Sequence, residues 1–470
     1  MLEEAVRTAI LGTHEEIRAS AAAAARDSPD AVVFRAALAQ RGGDVAEATR
    51  LLTRLEHDLA DAERAALIEL YVPLLISVGD LERAEHLVLE AAPSDAGARA
   101  GIAALAAVIA AQRGEFEVSA AAAERAREIL VFTDDEYRRA TVLQRLSLAA
   151  FYRNEYLDAM DLGLSSVKAA EGAGFMRYAA VAYTVPYAVA HDVLGDPRLA
   201  LYYAERTAIV ARAASDDSYV RNGLASQAIV AAESGDRRRL QVLSTRLISA
   251  RNARQFREQF VIALALALPL AWDGEFEQFA STIATLREGR GASERALCDA
   301  LLAVCASARG DLEEARRRTR SALHLTRRLP DSPAYDEQRR RVARAVAAVV
   351  CNRIGDRIRG ERALHGKDMA GTPEASLASD GKRAPIVAGY GMVLDAAARS
   401  VKPAGDASLL TTAQMALLRE LASGKTIPQI SKEAGRSVAT LRTHAQQIND
   451  RLGVHGRAAA ITRGRELGLI

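Results

Sequence analysis

The sequence predicts an all-α protein in three parts: a right-handed α-solenoid of helical hairpins over residues 1–365, a linker with a short helix over 366–408, and a small four-helix domain over 409–470. A two-residue mark recurs along the first part, each time between two apolar helical stretches. Half of the residues are apolar but only 5% are aromatic, and alanine dominates, which suits close packing of helix on helix. No alternating strand pattern with an acidic pocket appears, which excludes a phospho-receiver domain.

The marks are Gly43-Asp44, Gly79-Asp80, Gly114-Glu115, Asn154-Glu155, Gly195-Asp196, Gly235-Asp236, Gly274-Glu275, Gly310-Asp311 and Gly355-Asp356, at intervals of 36, 35, 40, 41, 40, 39, 36 and 45 residues. Gly or Asn comes first because the chain must pass through a left-handed turn after a helix. The acidic residue then starts the next helix, where the dipole favours it. Five residues after the mark stand Ala48, Ala84, Ala159, Ala200 and Ala315, small enough to let two helices approach. The pattern resembles the tetratricopeptide repeat, without most of its aromatic signature and with a period longer than about 34. It implies about nine hairpins stacked as a superhelix. The opening helices, Leu2 to Asp27, are expected to cap or extend the stack.

A solenoid of this kind offers a concave surface lined by the first helix of each pair. Aromatic and polar residues concentrate in the middle repeats: Gln144, Phe151, Tyr152, Tyr183, Tyr187, His191, Tyr202, Asn222 and Gln227. Of these, Gln144, Tyr152, Tyr183, Tyr187, His191, Asn222 and Gln227 form the expected groove for a peptide, protein or small-molecule partner. Packing between hairpins is the competing role for each of them. Trp272, beside a turn, is given a packing role.

With 470 residues the chain is too long for one ordinary core. Its net charge of +2 hides an asymmetry. Residues 409–470 hold nine Lys/Arg against four Asp/Glu, so +5, which leaves −3 for the rest. A basic module on a mildly acidic body fits nucleic-acid contact by that module alone. Cys298, Cys305 and Cys351 have neither a disulfide nor a metal-ligand pattern and read as core cysteines. No metal or cofactor is expected. The start Met1-Leu2-Glu3-Glu4 lacks a basic region and a long apolar segment, and the most apolar run, Phe260 to Trp272, is shorter than the roughly 20 residues of a membrane span. The expected location is the cytoplasm, with no membrane partner.

After His365 the texture changes. Gly366 to Ala384 is rich in Gly, Ala, Ser and charge and reads as a flexible linker. Pro385 to Val401 carries an apolar patch, Ile386, Val387, Tyr390, Met392, Val393 and Leu394, expected to form a short docking helix. Beyond it, Leu410 and Met415 make a hydrophobic staple, and Thr411 with Gln414 a capping box. Thr426 to Ala434 is a short helix, Gly435-Arg436-Ser437 a tight turn, and Ser437 the N-cap of the next helix. In that helix Val438, Leu441, Ala445, Ile448 and Leu452 recur at helical spacing. The opposite stripe is Ala439, Arg442, Thr443 and Gln446, residues suited to base edges. Two short helices joined by a Gly-containing turn form a helix-turn-helix. A last helix, Arg457 to Leu467, stops at Gly468.

These C-terminal residues resemble the LuxR-type helix-turn-helix regulators over about the last 60 positions. The resemblance rests on Leu410, Thr411, Leu418, Leu421, Ala422, Gly424, Ile430, Gly435, Ser437, Thr440, Thr443, His444, Ile448, Leu452, Gly453, Val454 and Arg457. Gln414, Ile427-Pro428-Gln429 and Arg436 depart from the family pattern. The resemblance implies that Arg442, Thr443 and Gln446 face the bases of double-stranded DNA and that the last helix makes a homodimer. The full expected DNA-binding set is Thr426, Lys432, Arg436, Ser437, Ala439, Thr440, Arg442, Thr443, Gln446 and Arg451, with Lys432, Arg436 and Arg451 available for phosphates. His444, near the inner side of the helix, is given a structural role.

Gly424-Lys425-Thr426 imitates the end of a phosphate-binding loop, but Arg419 stands where the first glycine belongs and a helix precedes it. Asp134-Asp135 and Asp216-Asp217 sit at helix starts and read as caps. No nucleophile, base and orienter come together, so no enzyme is predicted. The expected protein is a transcription regulator whose solenoid senses a partner and controls a DNA-binding module. The alternative is a repeat scaffold with a vestigial helix-turn-helix.

Overall fold

The computed structural model describes residues 2–470 except 27, 43, 92, 94, 249–255, 289, 327–333, 365–368, 370–371, 379–383, 385–386, 401–409, 411 and 467–468. The described residues are all-helical, without strands. Two opening helices, α1 (Leu2–Leu11) and α2 (His14–Ala23), precede an array of hairpins. The hairpins are α3 (Pro29–Arg41) with α4 (Val45–His57), α5 (Asp61–Val78) with α6 (Leu81–Glu90), α7 (Ala96–Gln112) with α8 (Phe116–Leu130), and α9 (Glu136–Tyr152) with α10 (Tyr156–Gly172). The fifth has a broken first arm: α11 (Met176–Ala182), α12 (Thr184–Ala188) and a π-helical turn (Val189–Val193), followed by α13 (Pro197–Ala213). Then come α14 (Asp217–Glu233) with α15 (Arg237–Ile248), α16 (Phe256–Trp272) with α17 (Phe276–Arg287), α18 (Ala292–Ala308) with α19 (Leu312–Leu325), and α20 (Ala334–Arg353) with α21 (Arg357–Leu364).

The repeat marks do what their chemistry requires. Gly79, Gly114, Asn154, Gly195, Gly235, Gly274, Gly310 and Gly355 all have positive φ, between 60° and 85°. Gly43 lies outside the described residues. Asp44, Asp80, Asp196 and Asp311 cap the following helix through side-chain oxygens. Ala48, Ala84, Ala159, Ala200 and Ala315 are fully buried. At the same position of the third hairpin, buried Ser119 donates to the Ala107 carbonyl of the facing helix at 2.7 Å. A one-carbon side chain therefore sets the spacing within these pairs. Pro186, which lacks a backbone N–H, stands in α12 just after the break in the fifth hairpin. Its ring lies against Gly163 of α10, where a Cβ would come within 2.8 Å of it.

Of the two opening helices, α2 packs on the first hairpin through α3, as a helix that caps or extends the array would, while α1 reaches further. α1 packs against α3, α5 and α11, the first arms of the first, second and fifth hairpins. Arg177 Nη1 donates to the Ile10 carbonyl at 2.9 Å and Arg41 Nη2 to the Ala9 carbonyl at 3.0 Å. Arg7 pairs with Asp135, and Arg138 with Glu3. The amphipathic α1 buries Leu2, Val6 and Ile10 there.

A second helix does the same further along. After a 3₁₀ turn (Pro373–Ala378), α22 (Ala388–Ser400) packs on α14, α16 and α18, again first arms. Val387, Tyr390, Val393 and Leu394 of the apolar patch are buried there, while Ile386 lies outside the described residues. Met369 and Leu377, from the stretch expected to be a flexible linker, are also buried in this core. The inner surface of the array is thus covered in two places by the chain itself.

Four further helices follow: α23 (Thr412–Ala422), α24 (Ile427–Ala434), α25 (Val438–Leu452) and α26 (Arg457–Glu466). They share a separate core of Leu410, Leu417, Leu418, Leu421, Ile430, Leu441, Ile448, Leu452 and Ala460.

Candidate nucleic-acid interface and the solenoid interior

The turn between α24 and α25 is built by local chemistry. Thr426 and Gln429 form a capping box at the start of α24, with Pro428 in its first turn, so the Ile-Pro-Gln departure makes a good helix start. Gly435 closes α24 at φ 62°, and Ser437 Oγ accepts from Thr440 N at 3.1 Å to start α25. α25 buries Leu441, Ile448 and Leu452 and half-buries Val438 and Ala445. The opposite face exposes Ala439, Arg442, Thr443 and Gln446. Thr443 Oγ1 donates to the Ala439 carbonyl and Gln446 Nε2 to Asp450 Oδ1, at 3.1 and 3.0 Å. Arg442 has no such partner among the described residues. Lys432, Arg436, Ser437 and Thr440 are exposed around the turn.

α25 is fixed to α23 by a contact that sequence reasoning missed. Buried Gln414 donates to Gln447 Oε1 at 2.9 Å and accepts from Arg451 Nη1 at 2.7 Å. Gln414 thus orients Arg451, while the capping box expected with Thr411 lies outside the described residues. Arg457 Nη2 donates to the Leu421 carbonyl at 2.7 Å and fixes the start of α26. Lys425 sits between Glu420 and Glu433, at 2.8 and 2.7 Å, and these bonds hold its ammonium above its ordinary pKa. It is engaged in a surface ion-pair cluster, consistent with rejecting a phosphate loop here. His444 is half-buried, and its Nδ1 is enclosed without a partner.

Residues 408–463 match the family described as bacterial regulatory proteins, luxR family. The C-terminal domain is a LuxR-family helix-turn-helix domain. It belongs to transcription regulation, and within it α25 is the helix that carries the exposed polar stripe. The chain is also similar to a solved structure, the apo form of the quorum sensor NprR from B. thuringiensis, at 13% identity and a TM-score of 0.32, covering 93% of this chain and 96% of that one. No curated protein matches the chain. Among the described residues no helix is long and apolar enough to cross a membrane.

The residues expected to line a solenoid groove divide into separate settings. Gln144 and Asn222 line an internal cavity beneath α1. Tyr183 is buried, with its hydroxyl donating to Glu171 and accepting from Arg206. Tyr152 packs edge-on against Phe151, and Gln227 donates to the Ala204 carbonyl at 3.4 Å. Tyr202 is half-exposed against Tyr203. These residues thus occupy different settings, some lining the cavity and others packed between helices. The three cysteines are free and buried, and burial pushes Cys298 and Cys305 up to about 12 and Cys351 to about 11.

Tyr187 and His191 belong to the site where α22 docks. The two rings stack at 5.5 Å. His191 Nε2 meets Glu233 Oε2 at 2.7 Å and Nδ1 meets Asp192 Oδ1 at 2.6 Å. Tyr390 of α22 donates to the other Glu233 oxygen at 3.4 Å. Burial alone would lower the His191 pKa. The Tyr187 hydroxyl, Glu233 and the hydrogen bonds to Asp192 and Glu233 outweigh burial and raise it well above the ordinary value. A histidine raised in the folded state contributes stability that is complete below its unfolded pKa of about 6.5 and is lost as pH rises through the folded pKa. Denaturant titrations across neutral and alkaline pH are expected to show a loss of stability with rising pH that is absent in His191→Gln. Equal pH profiles would remove His191 as the cause.

Proposed function

We propose that the protein is a transcription regulator that binds promoter DNA through the stripe on α25, as a homodimer formed through α26. The helical-repeat part senses a ligand or partner and sets how the LuxR-family domain is presented. The observation that carries this reading is the outward Ala439–Arg442–Thr443–Gln446 stripe on a helix with a complete buried face. A scaffold with a vestigial domain gives no reason for that stripe beside the exposed cations Lys432 and Arg436.

Two properties support control from the repeat part. α22 is docked on the array, and only residues 401–411 separate it from α23. That segment spans at most about 40 Å when extended, so the state of α22 limits where the DNA-binding domain can reach.

The test is a fragment of residues 403–470 beside the full chain. The fragment is expected to melt cooperatively, to show helical circular dichroism and to bind duplex DNA as a dimer. Genome-wide mapping of full-chain binding sites should then return a two-fold symmetric sequence. A folded fragment that ignores DNA at low salt would refute the reading.

A further inference from the structure

The cavity beneath α1 is partly open, is lined mainly by first arms and has a volume of about 280 Å³. Ile10 of α1 lies on it, and the walls come from α3, α4, α5, α7, α9, α11, α12 and α14. Its chemistry is unbalanced. Arg41, Arg145 and Arg177 line it together with Glu69 and Asp216. Asp216 is committed to Arg177 within the site, and Glu69 to Arg138 outside it. Asp216 Oδ2 accepts from Arg177 Nε at 2.9 Å, and its other oxygen caps α14 through Tyr219 N at 3.1 Å. Glu69 pairs with Arg138 and accepts from the Tyr137 hydroxyl at 2.6 Å. Among the described residues Arg145 donates to the Gly101 and Glu69 backbone carbonyls.

Arg41 is the most exceptional of these groups. It is only 2% exposed. Among the described residues its one hydrogen bond is to the Ala9 carbonyl of α1, and its Nε and Nη1 are enclosed with no acceptor. Burial, reinforced by neighbouring Arg177, pulls its pKa down to about 9. Asp216 and Glu16 are near enough to favour its charge, but among the described residues neither is bonded to it, and a buried cation without a hydrogen-bonded partner is unfavourable. The remaining wall is apolar, with Leu74, Val108 and Val181.

We propose that this cavity binds a small organic anion, with a carboxylate met by Arg41 and an apolar body against Leu74, Val108 and Val181. The proposal rests on the reading that the repeat part senses a ligand, and it names the ligand's chemical class. The volume lies below the usual range for drug-sized ligands. α1 already occupies the neighbouring inner surface, so the space suits a compact molecule rather than an extended peptide. Because the carbonyl of Ala9 shares Arg41 with the ligand, α1 is the lid of the site.

The test uses the full chain and three probes of one shape: hexanoate, hexanamide and hexylammonium. Hexanoate is expected to raise the melting temperature and to bind at least about 10-fold more tightly than hexanamide in calorimetry. Hexylammonium is expected not to bind. Arg41→Met removes the unpaired charge at similar length, so it should melt no lower than the parent and should lose the response to hexanoate. Leu148→Phe, which narrows the cavity with Arg41 intact, should weaken hexanoate binding independently. Equal binding of hexanoate and hexanamide, no response to hexanoate at millimolar concentration, or an unchanged response in both variants would overturn the proposal. DNA binding of the parent, measured in the same samples, separates the two readings. Intact DNA binding without a carboxylate response sinks only the site, whereas a carboxylate response without DNA binding sinks the regulator.

Discussion

Gly389→Ala is expected to undock α22 and to cost about 3 kcal/mol or more. Gly389 lies against the C-terminal end of α14, where a Cβ would come within 1.8 Å of the Ala232 carbonyl oxygen and 3.1 Å of the Glu233 carbonyl oxygen. Both obstacles are backbone, so no side-chain rotation relieves the overlap. The neighbouring contacts depend on the same close approach. Trp272 Nε1 donates to the Gly389 carbonyl at 2.9 Å, and Tyr390 reaches Glu233. Trp272 is the chain's one tryptophan, which makes its fluorescence a direct reporter of docking. The variant should show red-shifted emission, a lower denaturation midpoint and early proteolysis within residues 388–411. Gly172→Ala is the control, because Gly172 is a helical residue of α10 where a Cβ meets nothing within 4 Å. Unchanged emission and midpoint in Gly389→Ala would show that α22 does not depend on this contact. If α22 governs presentation of the DNA-binding domain, the folded variant should also bind its operator with altered affinity.

Local features of this fold were legible because they are properties of a few adjacent residues. A glycine or asparagine at a repeat mark announces positive φ, and an alanine five positions on announces a close helix pair. Ser437 and Gly435 delimit the turn before α25 by the same local logic. The polar stripe of α25 follows from helical periodicity and is exposed as expected. What was not legible depends on partners far away in the chain. Tyr187 and His191 read as groove residues because the sequence does not show that Tyr390 completes their cluster through Glu233. The position of α1 is likewise settled by Arg41 and Arg177 gripping its last turn, contacts that span 32 and 167 residues. Arg41 itself looks like an ordinary last-turn arginine, favourable near a helix C-terminus. Only the closing of α1 over it turns it into a buried cation. The Gln414 network was hidden for a similar reason, since a capping position and a bridge to α25 require the same residue type.

Arg442→Ala is expected to cost roughly 1 to 3 kcal/mol on the specific site and to relax preference at one base position per half-site. Arg442 lies one turn into α25 on the exposed face, with Thr443 and Gln446 beside it. An arginine there can form a bidentate contact with a guanine edge, for which lysine is a weaker substitute. The competing role is a phosphate contact, which strengthens binding to any sequence. The structure bears on the choice through what the neighbouring cations are doing. Arg451 is held by Gln414 at the α23 side, and Lys425 is engaged by two glutamates. Lys432 and Arg436 flank the turn and are exposed. Arg442 is free of intramolecular partners among the described residues, so its guanidinium needs no ion pair broken before it enters a groove. Binding to operator and scrambled duplexes at two salt concentrations separates the two roles. A base contact removes affinity from the operator and leaves the scrambled duplex nearly unchanged, with the salt dependence preserved. A phosphate contact lowers both equally and makes the salt dependence shallower by about one charge. An equal loss on the two duplexes would therefore take Arg442 out of the specificity set and leave Thr443 and Gln446 to carry it.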